Sequence, residues 1–432
     1  MLTRPQFVTS FPAWLCLAGG LLLTLADSAL AGTPSGLVWP QFRGPTQQGH
    51  ADASAKPPIV FNENEHLVYK TPIPGVGWSS PVVADNEVWL TTALLEEKKL
   101  QAICLDYTTG KITHAVTVFE PEEWEEIHLQ NSQASPTPVI DEKNVYVHFG
   151  NYGNAAIDRV TGKIVWKNNE IVVNYMTGAG SHPIPFENTI IITCDGADKN
   201  IIAALDKSTG QVIWTQGRSQ PLRNNADTHR SFSTPLIVRN AGQTTPPEVM
   251  VSIGPDQVHG YDPRNGNDLW YTTYQGFSTV PMPITDGESV YVATGFGKAT
   301  FMAIKLGGQG DITNNHISWK NNKGISLIPS PLLVDGLIYM STEKGTFLCI
   351  DPATGEQLFQ ERLGGNMSSS PIYAGGHIYL ADENGVVYVI KPGREFKLVQ
   401  KNELQSGQVK GSPAAVGNSL LLRSENGLYR FE

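Results

Sequence analysis

Five side chains have the types and positions from which recognition chemistry could be built: Gln133, His182, His229, Arg230 and Lys410. Arginine offers a fork of N–H donors that fits an acid group, lysine a compact ammonium, and imidazole or amide either sense of hydrogen bond. His182 stands directly before Pro183, and His229 and Arg230 stand just ahead of Thr234-Pro235. Gln133 and Lys410 are placed similarly ahead of Thr137-Pro138 and Ser412-Pro413. All five precede the same repeated phrase, so they are expected to gather at one rim, where a concave polar mouth would bind a ligand.

Other candidates dissolve on inspection. Asp106, Asp158, Asp206, Asp262 and Asp351 could pass for catalytic carboxylates, but each occupies the same place in a repeated turn. A carboxylate there accepts backbone N–H bonds and folds the chain back, which is a structural task. Asp195 and Asp198 supply too few ligands for a calcium cage. Glu120, Glu122, Glu123, Glu125 and Glu126, with Trp124 among them, read as a solvated loop. No nucleophile elbow, phosphate loop or zinc-hydrolase motif is present. No catalytic, cofactor-binding or metal-ligating residue is assigned.

The elements that must position the five residues are announced by repetition. Ala156-Ile157-Asp158 leads through Thr161-Gly162 to Trp166; Ala204-Leu205-Asp206 leads through Thr209-Gly210 to Trp214; Gly260-Tyr261-Asp262 leads through Asn265-Gly266 to Trp270. Asp351 begins a further copy ending at Phe359, and Asp106 one with His114 in place of the tryptophan. Such recurrence marks a repeat architecture. Eight pairs of a residue and Pro before an apolar pair, from Ser80-Pro81 to Ser412-Pro413, open the units. Pro at the first residue of a strand costs no ladder bond. Each unit reads as strands A and B, a loop, strand C, the aspartate turn and strand D.

The eighth unit stops after strand C, at Glu432, while Leu67–Lys70 is an orphan D strand ahead of the first unit. A ring closed by both termini follows: an all-β, eight-bladed β-propeller of four-stranded antiparallel blades, spanning residues 67–432. Residues 32–66 form an N-terminal extension. Long D–A connections at 113–134 and 215–232, and an insertion at 306–316, break the regularity.

The phrase Ala156-x-Asp158-x-x-Thr161-Gly162-Lys163-x-x-Trp166 resembles the tryptophan-docking motif of PQQ-like β-propeller repeats. The opening Trp39–Pro45 and Ser135-Pro136-Thr137-Pro138 resemble secreted planctomycete-type members described as PQQ-binding-like or BamB-like. The resemblance implies that Asp158, Gly162, Trp166, Asp206, Gly210, Trp214, Asp262, Gly266 and Trp270 hold adjacent blades together. In the quinoprotein dehydrogenases of this superfamily, PQQ and calcium sit with an adjacent-cysteine disulfide, a catalytic Asp and Glu, Asn and Asp ligands. This chain has no adjacent cysteines and no match for the calcium ligands, so no cofactor is expected, PQQ being the alternative.

Composition agrees. With 31 basic and 41 acidic residues, the net charge of −10 disfavours nucleic acid and anionic membrane as partners. Residues 1–31 read as a signal peptide, with an apolar run from Phe11 to Ala26 and an Ala29-Leu30-Ala31 cleavage site. The run is short for a membrane span, so a secreted or periplasmic address is expected. Cys104, Cys194 and Cys349 remain, an odd number that reads as buried small hydrophobes. The functional expectation is a non-catalytic binding or scaffolding propeller with a protein or glycan partner outside the cytoplasm. A PQQ-dependent oxidoreductase and a glycan-binding or glycan-processing propeller are the alternatives.

Overall fold

The computed structural model describes residues 35–239 and 246–432; the expected signal peptide lies outside them. Eight blades built on four antiparallel strands surround a channel, with the A strands of neighbouring blades side by side at the centre. Blade 2 is typical: Val139–Ile140 is strand A, Asn144–His148 B, Asn154–Asp158 C and Ile164–Asn168 D. Strands B and C are buried almost throughout, because neighbouring blades cover both faces. Strand D, at the rim, alternates instead.

The ring closes as expected. Leu67–Thr71 pairs antiparallel with Gly427–Phe431, Leu67 opposite Phe431 and Thr71 opposite Leu428. The hydrogen bonds that a free edge would expose are thereby satisfied.

The repeated turns explain how the blades dock. Asp158 Oδ1 accepts from the Thr161 N–H at 2.8 Å and its hydroxyl at 2.7 Å, and these bonds hold its carboxyl below the usual range. Gly210 has φ +72°, and a Cβ there would lie 2.4 Å from the Trp166 indole of the preceding blade. The glycine is therefore doubly required, by backbone conformation and by the ring that lies on it. The Trp166 Nε1–H donates to the Lys207 carbonyl of that same next blade at 2.8 Å. Trp214 lies on Gly266 in the same way.

Trp270 departs from this pattern. The next turn is the 306–316 insertion, and its Gly310–Asp311 segment adds in parallel to strand D of blade 4, Asp268–Thr273, with Trp270 opposite Gly310. The insertion, which could have served as an exposed contact loop, is partly used as a fifth strand. Cys104, Cys194 and Cys349 are buried free thiols, and burial pushes them up to about 12, 12 and 11.

The N-terminal extension is less irregular than its polar sequence suggests. Leu37–Trp39 adds to the inner edge of blade 1, against strand A, Val82–Ala84. The chain then circles the channel. The Pro40 carbonyl accepts from the Ile140 N–H in blade 2, and Gln48 Oε1 accepts from the Thr285 N–H in blade 5. Buried Arg43 donates to the Pro331 carbonyl of blade 6 at 2.6 Å. The Gly49 carbonyl accepts from the Tyr373 N–H of blade 7, and the Lys56 N–H donates to the Gly417 carbonyl of blade 8. These partners lie along strand A or at its A–B turn. The extension therefore stoppers the end of the channel that carries the A–B and C–D turns.

Candidate functional site

The other end of the channel remains open, and the residues before the repeated prolines shape its throat. The Ser80 N–H donates to Thr137 Oγ1 at 2.9 Å, and the Thr137 N–H to His182 Nδ1 at 2.6 Å. The His182 N–H donates to Thr234 Oγ1 at 2.9 Å. The Met282 N–H donates to Ser330 Oγ at 3.0 Å, and the Ser330 and Ser370 N–H groups donate onward to Ser370 and Ser412 Oγ at 2.9 Å each. The Ser412 N–H joins this run to the first on Ser80 Oγ at 2.9 Å, so the belt has seven links and a gap between Thr234 and Met282. Met282 is the one position of the belt with a thioether, a weak acceptor. At seven of the eight positions the side chain before the proline, a serine, a threonine or His182, thus clips one blade to the next, a role that strand patterns alone do not disclose.

The belt fixes the state of His182. Its Nδ1 accepts, so the ring proton is on Nε2. Burial drives its pKa down to about 3, with His148 adding to the effect, so the ring is neutral. The Phe42 ring lies 3.9 Å from it, centroid to centroid. Phe42 comes from the extension, so the stopper supplies the floor of what lies above.

That space is a cavity of about 400 Å³ to which all eight D–A connections contribute. Of the five rim residues expected from sequence, His182, Arg230 and Lys410 line it. The Lys410 ammonium lies 4.9 Å from the Trp78 ring centroid and donates to the Gln130 carbonyl at 3.3 Å. Arg230 Nε is buried with no hydrogen-bond partner.

The other two residues do not line the cavity. Gln133 donates to the Glu125 carbonyl at 2.8 Å and holds the acidic loop. That loop is not freely solvated: the Trp124 Nε1–H donates to the Leu95 carbonyl, and the Asn151 amide to Glu125 Oε1. His229 has its ring nitrogens against the Ala197 and Arg223 carbonyls, 3.0 and 2.6 Å away. Both side chains serve loop architecture, which position ahead of strand A could not distinguish from ligand binding. Asp195 is equally committed, to Arg218 at 2.7 Å and the Asn200 amide at 2.9 Å. The sequence reading missed Phe42, Phe277 and Phe296 in the cavity wall. Phe42 sits in the phrase Trp39–Pro45, where its chemical type was the available signal.

The model of the family described as outer membrane protein assembly factor BamB matches residues 54–309 and 310–430. The chain belongs to that family. It is similar in fold to BamB from Moraxella catarrhalis, at 14% identity and a TM-score of 0.57 over 84% of this chain and 98% of that one. It is similar also to a europium-containing methanol dehydrogenase, at 11% identity and a TM-score of 0.64 over 91% of this chain and 90% of that one. In sequence it matches tetrathionate hydrolase of Acidithiobacillus ferrooxidans, 26% identical over 240 residues. The match covers 53% of this chain and 45% of that protein, so it spans less than half of the curated relative.

The cavity does not fit the calcium-held PQQ of the quinoprotein dehydrogenases considered from sequence. Calcium takes oxygen ligands, carboxylates foremost, and among the described residues no Asp or Glu lines the cavity. The three described cysteines lie in strands within blades and not in its wall. Among the described residues no helix is long and apolar enough to cross a membrane.

Proposed function

We propose that the protein is an extracytoplasmic binding propeller, a scaffold whose working face carries the D–A and B–C loops. One observation carries the reading: residues 37–49 stopper one end of the channel, while the other opens into a cavity drawn from every blade. Variable loops on a rigid ring are a usual place for function. The family's described role in outer-membrane protein assembly and the expected signal peptide support the address, residues 1–31 being cleaved after Ala31. A protein or glycan outside the cytoplasm is the partner class.

The face is tested by a photo-crosslinking residue at Gln130, on the open face, or at Asp311, on the stoppered one, in the cell-envelope fraction. Discrete ultraviolet-dependent adducts from position 130 are expected. Adducts from 311 alone would contradict the assignment.

The cationic cavity and the partial sequence match favour a second reading, cleavage of a polythionate anion. Purified protein incubated with tetrathionate, followed by cyanolysis, is expected to leave it at the level of the buffer control. Turnover above that control would replace the scaffold reading with a hydrolytic one.

A further inference from the structure

The charge of the cavity opposes that of the chain. The protein carries a formal net charge of −10, yet among the described residues Arg230 and Lys410 are the only Asp, Glu, Lys or Arg residues lining the cavity. No carboxylate pairs with either among the described residues. The Lys410 ammonium has a carbonyl and an indole face for company. Arg230 is less satisfied, with its buried Nε lacking an acceptor. The residue as a whole is half-buried, and an acceptor entering the cavity would give that buried N–H the partner it lacks among the described residues.

The rest of the wall says what else the entrant carries. Phe42, Trp78, Phe277 and Phe296 bring aromatic surface to the same space. The belt hydroxyls and the Nε2–H of His182 add neutral polar groups, and the volume of about 400 Å³ suits a small molecule. Phe42 and the extension behind it close the far side, so no chain can thread through the channel.

We infer that the cavity binds a small organic anion with a flat apolar body, of the aryl carboxylate or aryl sulfonate class, without a metal. Its acid group bonds the Arg230 guanidinium, and its body lies among the Phe42, Phe277 and Phe296 rings. Lys410 strengthens the positive potential without being the primary contact. The inference rests on the open face being the working face, and it names the chemistry that this face admits.

The probe pair is 2-naphthoate and the neutral 2-naphthamide, titrated calorimetrically into the full mature protein, with sodium sulfate as the bare-anion control. Naphthoate is expected to bind one site at least about tenfold more tightly than naphthamide, the ratio that one charge-assisted hydrogen bond produces. Arg230→Met should abolish that preference, Arg230→Lys should retain part of it, and both should keep the wild-type melting temperature. Phe277→Ala should weaken acid and amide together. Equal affinity for acid and amide, or binding of neither, overturns the inference and leaves the open face as the working face untouched. Sulfate binding as tightly as naphthoate overturns the aryl class. Naphthoate binding that survives Arg230→Met but is lost on deletion within 306–316 overturns both the inference and the choice of face.

Discussion

The two ends of the ring are built by opposite rules. At the stoppered end the turns repeat: an aspartate caps its own turn, a glycine follows, and the aromatic ring of the preceding blade lies on that glycine. At the open end the D–A connections differ in length and content from blade to blade. What they share is confined to the belt at the throat, where six blades place a hydroxyl and blade 3 places His182. The repeated end thus docks the blades, and the recognition proposed above falls where the sequence does not repeat. This difference predicts how each end responds to substitution.

The largest effect is expected at the docking end. Trp166→Ala should destabilise the protein by about 3–5 kcal/mol, as for other buried aromatics, read as a lower denaturant midpoint. An unchanged midpoint would break the contrast at once. Next comes the stopper itself. Arg43→Ala removes buried donations to the Gln48 and Pro331 carbonyls and should cost about 1.5–3 kcal/mol, the range for hydrogen bonds to charged groups. Limited proteolysis should then cleave the extension while the blades remain intact. Cleavage spread through the blades would show that the extension belongs to the folding core and is no separate closure.

A smaller, pH-dependent effect tests the belt. The folded protein keeps His182 neutral down to about pH 3, whereas the unfolded chain protonates it near the ordinary imidazole value. The unfolded state then binds more protons between those limits, and stability is lost as pH falls from about 6.5 toward 3. His182→Thr, the residue used at the matching positions of blades 2 and 4, keeps an acceptor for the Thr137 N–H and removes this liability. The variant should lose less stability than wild type across that window, by chemical denaturation at each pH. Parallel pH profiles would contradict the neutral, accepting role of the ring. The smallest effect belongs to Arg394, an exposed arginine 3.4 Å from Asp351 on the repetitive end. Arg394→Ala should change stability by less than about 0.5 kcal/mol, and a larger loss would mean that exposed charges help to hold the blades.

The same contrast explains what could be read from sequence. The Asp158–Trp166 phrase specified its turn and docking partner because both obey local rules repeated in register. Ring closure was legible because Leu67–Lys70 and Leu428–Phe431 are complementary fragments of one unit. Trp270 shows where this ends: its partner is an insertion whose parallel pairing leaves no local trace. The site was half legible. His182, Arg230 and Lys410 reach the cavity, but Gln133 and His229, at similar places, turn to carbonyls of their own loops. Which way a loop side chain faces depends on packing across blades, and spacing does not encode it. The extension was the least legible part, because its partners are edges of six different blades.

The central claim is that one end of the ring is sealed by the chain itself and the other receives a ligand. The most direct test is a crystal structure of the mature protein grown with 2-naphthoate. The account predicts residues 37–49 seated in the channel, the naphthyl group above Phe42, and the carboxylate within hydrogen-bonding distance of Arg230. Ligand density confined to the turns of the other end, or a channel open through both ends, would contradict it.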